Sequence, residues 1–120
     1  MESHKNLKVW QNAIDIAVDV QDITRRYPKD EMFGMVSQMR RAATSISMNI
    51  AEGYARGTDK ETLHFLYIAS GSASELDTQL VLSHRFGYID DETESRLSGQ
   101  LTIIRKMLSA LITSVKQKDK

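Results

Sequence analysis

The sequence predicts an all-α protein, an antiparallel up-and-down four-helix bundle forming one domain over residues 1–120. Three observations predict it. Six glycines and a single proline punctuate the 120 residues so sparsely that long uninterrupted segments lie between them. Within those segments apolar side chains recur every three or four positions, the spacing that lines one face of a helix. No stretch of useful strand length alternates apolar with polar residues.

The first helix occupies about residues 6–27 and stops because Pro28 disfavours helical geometry in the residue before it. A turn at 28–34 leads into the second helix, about 35–56, whose apolar face is Met35, Met39, Ala42, Ala43, Ile46 and Ile50. Gly57 ends that helix. Thr58 then caps the third, about 59–86, with Glu61 three residues on to complete a capping box. Gly87 suits the left-handed position that closes a helix, and Asp90 or Asp91 caps the fourth, about 91–115. Its stripe is Leu97, Leu101, Ile104, Leu108, Leu111 and Val115, and a charged tail follows. Four helices joined by short loops pack as antiparallel neighbours.

Composition narrows the function. Sixteen basic and sixteen acidic side chains cancel, so no global positive field draws in nucleic acid and any such contact needs a local patch. The absence of cysteine excludes disulfides, thiolate metal sites and thiol nucleophiles, and fits a reducing compartment such as the cytoplasm. Neither a signal-like apolar segment nor a run of about 18 apolar residues is present, so no membrane association is expected.

Chemistry-bearing motifs are sparse. Glu61 and His64 have the Glu-x-x-His spacing of carboxylate-bridged di-metal bundles, but the second copy is missing, because Val81 stands three residues before His84. There is no G-x-S-x-G elbow and no phosphate-cradling glycine loop. The sequence therefore predicts no catalytic residue, no metal and no cofactor, and a binding protein in place of an enzyme.

Two helices carry more apolar surface than one bundle hides. In the first, Val9, Ala13, Ile16, Val20, Ile23 and Tyr27 make a core stripe while Leu7, Ile14 and Val18 point nearly opposite. In the third, Leu66, Ala69, Ala73, Leu76 and Leu80 face the core while Phe65, Ile68, Leu82 and Phe86 lie at the flank and rear. These seven surplus residues are the predicted oligomer interface, with Glu75 and Gln79 as polar groups inside its third-helix part. The small-residue run around Gly71 predicts close approach of another helix, since glycine inside a helix costs about 1 kcal/mol unless packing offsets it.

The second helix carries a polar band, Gln38, Arg41, Ser45, Asn49, Glu52 and Arg56, with Arg40 on the other flank of the stripe. Arg41 and Glu52 stand about 16 Å apart along the axis, so each needs a partner elsewhere. Two readings stay open. One is a polar network that fixes helix register; the other has Arg40, Arg41, Arg56 and Lys60 contacting phosphates. Arg25, Arg26 and Lys29 form a second basic cluster, which solvated charge at a helix end explains equally well.

The segments NLKVWQ, QMRRAATSISMNIAEGYARG, LHFLYIASGSASELDTQL and RFGYID, in this order and spacing over about residues 6–115, carry a resemblance. The chain resembles the bacterial four-helix-bundle proteins first associated with intervening sequences in 23S ribosomal RNA genes. The family-like positions are Trp10, Gln11, Arg40, Arg41, Ser45, Asn49, Glu52, Gly53 and Glu75. The resemblance implies an up-down bundle assembled into a ring-like homopentamer. It also implies kinship with the more basic accessory variability determinant of diversity-generating retroelements, which partners a reverse transcriptase and binds nucleic acid. A ribosomal-protein label sometimes attached to the family does not place this chain in a ribosome. The expected function is a homo-oligomeric protein that binds RNA or DNA; the competing expectation is a scaffold for a protein partner, without affinity for nucleic acid.

Overall fold

Each apolar stripe becomes a helix with a neighbour to cover it. The computed structural model describes residues 3–118, in which α1 (Lys8–Thr24), α2 (Ser37–Tyr54), α3 (Asp59–Arg85) and α4 (Asp91–Lys118) run alternately up and down. Met1, Glu2, Asp119 and Lys120, included in the predicted domain, lie outside the described residues. No strand occurs among the described residues, and none of their helices is long and apolar enough to cross a membrane.

The capping residues act as their chemistry dictates. Thr58 Oγ1 accepts from the Glu61 amide at 3.2 Å, and Asp90, not Asp91, caps α4 by accepting from the Thr93 amide at 2.8 Å. Gly87 sits at φ +82°, where the Tyr88 amide reaches back to the Ser83 carbonyl at 2.9 Å and closes α3.

The bounds differ from expectation mainly at the first connection. Leu7 is extended and ends a single tight turn, His4–Asn6, so α1 begins two residues later than predicted. It ends at Thr24, and the chain then makes a tight turn, Lys29–Glu31, and a wide one, Met32–Val36, broken at Gly34. A Cβ on Gly34 would lie 2.8 Å from Glu31 Oε1, so a larger residue there would displace that carboxylate. At the other end of the chain α4 continues to Lys118, about a turn past its predicted stop.

The core lies along the bundle axis, where Ile16, Ile46, Leu66, Leu76, Leu80, Leu97, Leu101, Ile104 and Leu108 are fully buried. In α4 the stripe ends on Ile112, with Leu111 only half-buried. α2 and α3 approach most closely at Gly53, where an added Cβ would meet the Thr62 carbonyl and Phe65 Cβ at 3.2 Å. Thr62 Oγ1 donates to the Gly53 carbonyl at 2.8 Å there. Gly71, expected to be the close-approach site, has nothing within 4 Å of an added Cβ. Its position is on the outer side of α3, so nothing among the described residues compensates it.

α1 packs on α2 and α4, and α3 packs on α2 and α4, so α1 and α3 occupy diagonal corners. The α1–α2 and α3–α4 connections share one end of the bundle. The N-terminal turn, the α2–α3 turn and the end of α4 share the other.

Candidate binding surfaces

At the end holding the α1–α2 and α3–α4 connections, several polar groups bond one another, while the buried Tyr27 hydroxyl has no hydrogen-bond partner among the described residues. Glu31 accepts from the Tyr88 hydroxyl at 2.7 Å through Oε2 and from the Met35 amide at 3.3 Å through Oε1, tying the first connection to the last. That hydrogen bond to Glu31, ahead of desolvation and the Glu31 charge, holds the Tyr88 phenol up at a pKa of about 12. The Tyr27 and Tyr88 rings meet at 5.1 Å. Arg40, a predicted phosphate ligand, donates from Nε to Thr24 Oγ1 at 2.9 Å and from Nη2 to the Gln21 carbonyl at 3.4 Å, so it closes the end of α1. His84 lies between Asp91, 2.5 Å from Nε2, and Glu94, 3.6 Å from Nδ1. Arg25 pairs with Asp22 at 3.8 Å, and Arg26 is exposed beside it. Asp22, Asp30, Glu31, Asp90, Asp91, Glu92 and Glu94 outnumber Arg25, Arg26, Lys29 and Arg85 here, so this end is acidic.

The opposite end is basic. Among the described residues, Lys5, Lys8, Arg56, Lys60, Lys116 and Lys118, all exposed, outnumber Glu52, Asp59 and Glu61 there. An open cleft of about 570 Å³ lies at the α2–α3 turn, lined by Arg56, Thr58, Lys60, Glu61, His64 and Phe65. The Arg56 guanidinium lies over the Phe65 ring at 4.8 Å and is held from its Nε edge by Glu52 at 3.3 Å. His64 stands edge-on to the same ring at 5.1 Å, and Lys116 reaches over Tyr67 at 5.5 Å.

Between the two ends, part of the α2 polar band is a fixed network. Ser45 and Ser72 share a hydrogen bond at 2.8 Å that joins α2 to α3, and Asn49 Nδ2 donates to Ser45 Oγ at 2.9 Å. Gln38 and Arg41 are exposed, and their side chains have no hydrogen-bond or ion-pair partner among the described residues. Glu75 is exposed on α3. Gln79, expected on the same outer face, is instead buried, with Oε1 lacking a hydrogen-bond partner among the described residues.

The surplus apolar surface divides into two patches, one between α1 and α2 and one on α3. An open groove of about 580 Å³ between α1 and α2 is lined by Ile14, Ala17, Val18 and Met48, with Asp19, Asp22 and Arg25 at its rim. Val18 is 62% and Met48 67% exposed. On α3, Tyr67, Ile68, Val81, Leu82 and Phe86 are exposed, Phe86 at 54%. Two predicted interface residues are placed differently: Leu7 is half-buried against the edge of the core, and Phe65 packs at Gly53 beneath Arg56. Met48 was absent from the sequence prediction, although it lies about 200° round the helix from Ile46. Phe33 was also missed; it is 93% exposed beside Met32 on the wide turn, and no periodicity marks a loop residue.

Comparison with known proteins follows the same lines. A crystal structure of a Bacteroides thetaiotaomicron VPI-5482 protein, described as of unknown function and from the S23 ribosomal protein family, superposes with a TM-score of 0.82 at 27% identity. The match covers 88% of this chain and 95% of that one. No curated protein matches the chain. The family model for the 23S rRNA-intervening sequence protein matches residues 5–110. Neither description names an enzymatic activity. With nearly the whole bundle inside the match, the chain belongs to the 23S rRNA-intervening sequence protein family.

Proposed function

We propose that this chain is a non-catalytic, homo-oligomeric protein that binds nucleic acid. The observation that carries the reading is the pair of separate unpartnered apolar patches, the Ile14–Val18–Met48 groove between α1 and α2 and the Ile68–Leu82–Phe86 face of α3. Because the two patches differ, one copy joins the next head to tail, and such heterologous contacts close into a ring when the rotation permits. The resemblance implies five copies. Arg85, next to Phe86, and Asp22, at the groove rim, supply opposite charges for that contact.

Cyclic assembly resolves the zero net charge. With the bundles standing along the ring axis, rotation places every basic end on one rim and every acidic end on the other, so a neutral chain presents a positive rim to phosphates. Arg56 and Lys60 remain the phosphate-contact candidates at that rim, whereas Arg40 is committed to α1 and Arg41, in the first turns of α2, lies towards the acidic end.

The test pairs light scattering with RNA retention at rising salt. The expected mass is a multiple of 13.6 kDa, reduced to one chain by Val18→Glu with Leu82→Glu, and RNA binding falls linearly on a log–log salt plot. A monomeric wild type, or no RNA retained at low salt, overturns the reading. The fully exposed Phe33 favours one alternative, a scaffold with a protein docked at the acidic rim. An oligomer that ignores RNA and loses a stoichiometric protein partner on Phe33→Ala selects that alternative.

A further inference from the structure

We propose that the cleft at the α2–α3 turn takes an unpaired nucleobase on the Arg56 guanidinium, so that the basic rim reads single strands in preference to duplexes. This rests on the nucleic-acid reading above and adds the site and the class of strand.

Three features of the cleft carry it. Phe65, packed close to Gly53, provides an aromatic floor, and the Arg56 guanidinium lies over it at 4.8 Å. Glu52 holds the guanidinium by its Nε edge, and its terminal N–H groups, at the lining of the cleft, have no partner among the described residues. A guanidinium so ordered stacks on a base with its face and donates to a phosphate with its edge, two demands a lysine cannot meet together. Lys60 and the exposed His64 flank the same cleft, and Lys116 and Lys118 extend the positive surface along the strand's path. Glu61 also lines the cleft, which disfavours a bare polyanion and leaves stacking to tip the balance.

A base inside a duplex has both faces covered by its neighbours. It cannot stack on Arg56 without being flipped out, whereas an unpaired base is free to do so.

The experiment measures binding of the full oligomeric chain to a short labelled single-stranded RNA, to DNA of the same sequence, and to the blunt RNA duplex. Arg56→Lys keeps the charge and removes the stack: single-strand binding is expected to weaken about tenfold with the salt slope unchanged. Arg56→Gln with Lys60→Gln is expected to lower that slope by about 1.4, for two contacts at roughly 0.7 each. Arg25→Gln with Arg26→Gln, at the other end, leaves binding intact. Tighter binding of RNA than of DNA, or the reverse, names the natural strand and supports the site either way. RNA binding that survives all Arg56 and Lys60 variants, or a duplex bound as tightly as the single strand, overturns this inference and leaves the function reading standing. Polyglutamate competing as well as RNA also overturns it, and a wild type that binds no nucleic acid sinks the function reading itself.

Discussion

The two ends of the bundle hold similar residue types and use them in opposite ways. At the acidic end Glu31, Tyr88, Thr24 and Arg40 satisfy one another and lock the connections to the helices. At the basic end the cations are exposed, and one of them, Arg56, is braced by Phe65 and Glu52. Chain topology makes the difference. The acidic end must anchor an irregular connection of twelve residues, 25–36, whose backbone groups need partners. The basic end needs only the short α2–α3 turn, which Thr58 and Thr62 already satisfy.

Substitutions can break this contrast, the largest first. Glu31→Ala removes an acceptor from both Tyr88 and the Met35 amide and is expected to cost about 2–3 kcal/mol of stability in urea denaturation. A loss below about 0.5 kcal/mol would mean that the acidic end is not locked by this residue.

Alkali attacks the same lock. Tyr88 has a folded pKa of about 12, above the unfolded value of about 10. The protonated phenol is therefore the form the fold prefers. Its contribution is complete below pH 10 and is lost as pH rises from 10 towards 12. Burial raises Tyr27 and Tyr54 in the same direction. Tyr88→Phe should flatten the stability profile in that window without abolishing its slope.

The two arginines sharpen the comparison with smaller effects. Arg40→Ala uncaps the end of α1 and is expected to cost about 1–2 kcal/mol while RNA binding is unchanged. Arg56→Ala breaks one exposed pair and an exposed ring contact, so its stability cost stays within about 1 kcal/mol while RNA binding falls. If Arg40→Ala loses binding and Arg56→Ala does not, the division of labour is reversed.

How much of this was legible follows from distance along the chain. The four stripes, Thr58 as cap and Gly87 as stop are local patterns and could be read directly. Gln79 is polar, yet a 100° step already sets it only about 60° from Leu76 and about 40° from Ser83, both fully buried, so its side chain is drawn in at the flank of the stripe. Arg40 could be flagged but not assigned, since its partner Thr24 is sixteen residues away across a connection whose path no periodicity describes. Charge segregation was hidden by the net charge of zero. Once the antiparallel order is known, Lys5, Arg56 and Lys116 fall together although the sequence scatters them.

Amide hydrogen exchange of the wild-type oligomer, with and without a single-stranded RNA, tests the division between the ends most directly. Without RNA, amides around residues 25–36 and 85–94 should exchange more slowly than those around 55–60, because the acidic end is locked from within. Added RNA should then slow exchange at 53–66 and near Lys5 and Lys116, leaving the acidic end unchanged. Protection by RNA at the acidic end, with none at the α2–α3 turn, would contradict the account.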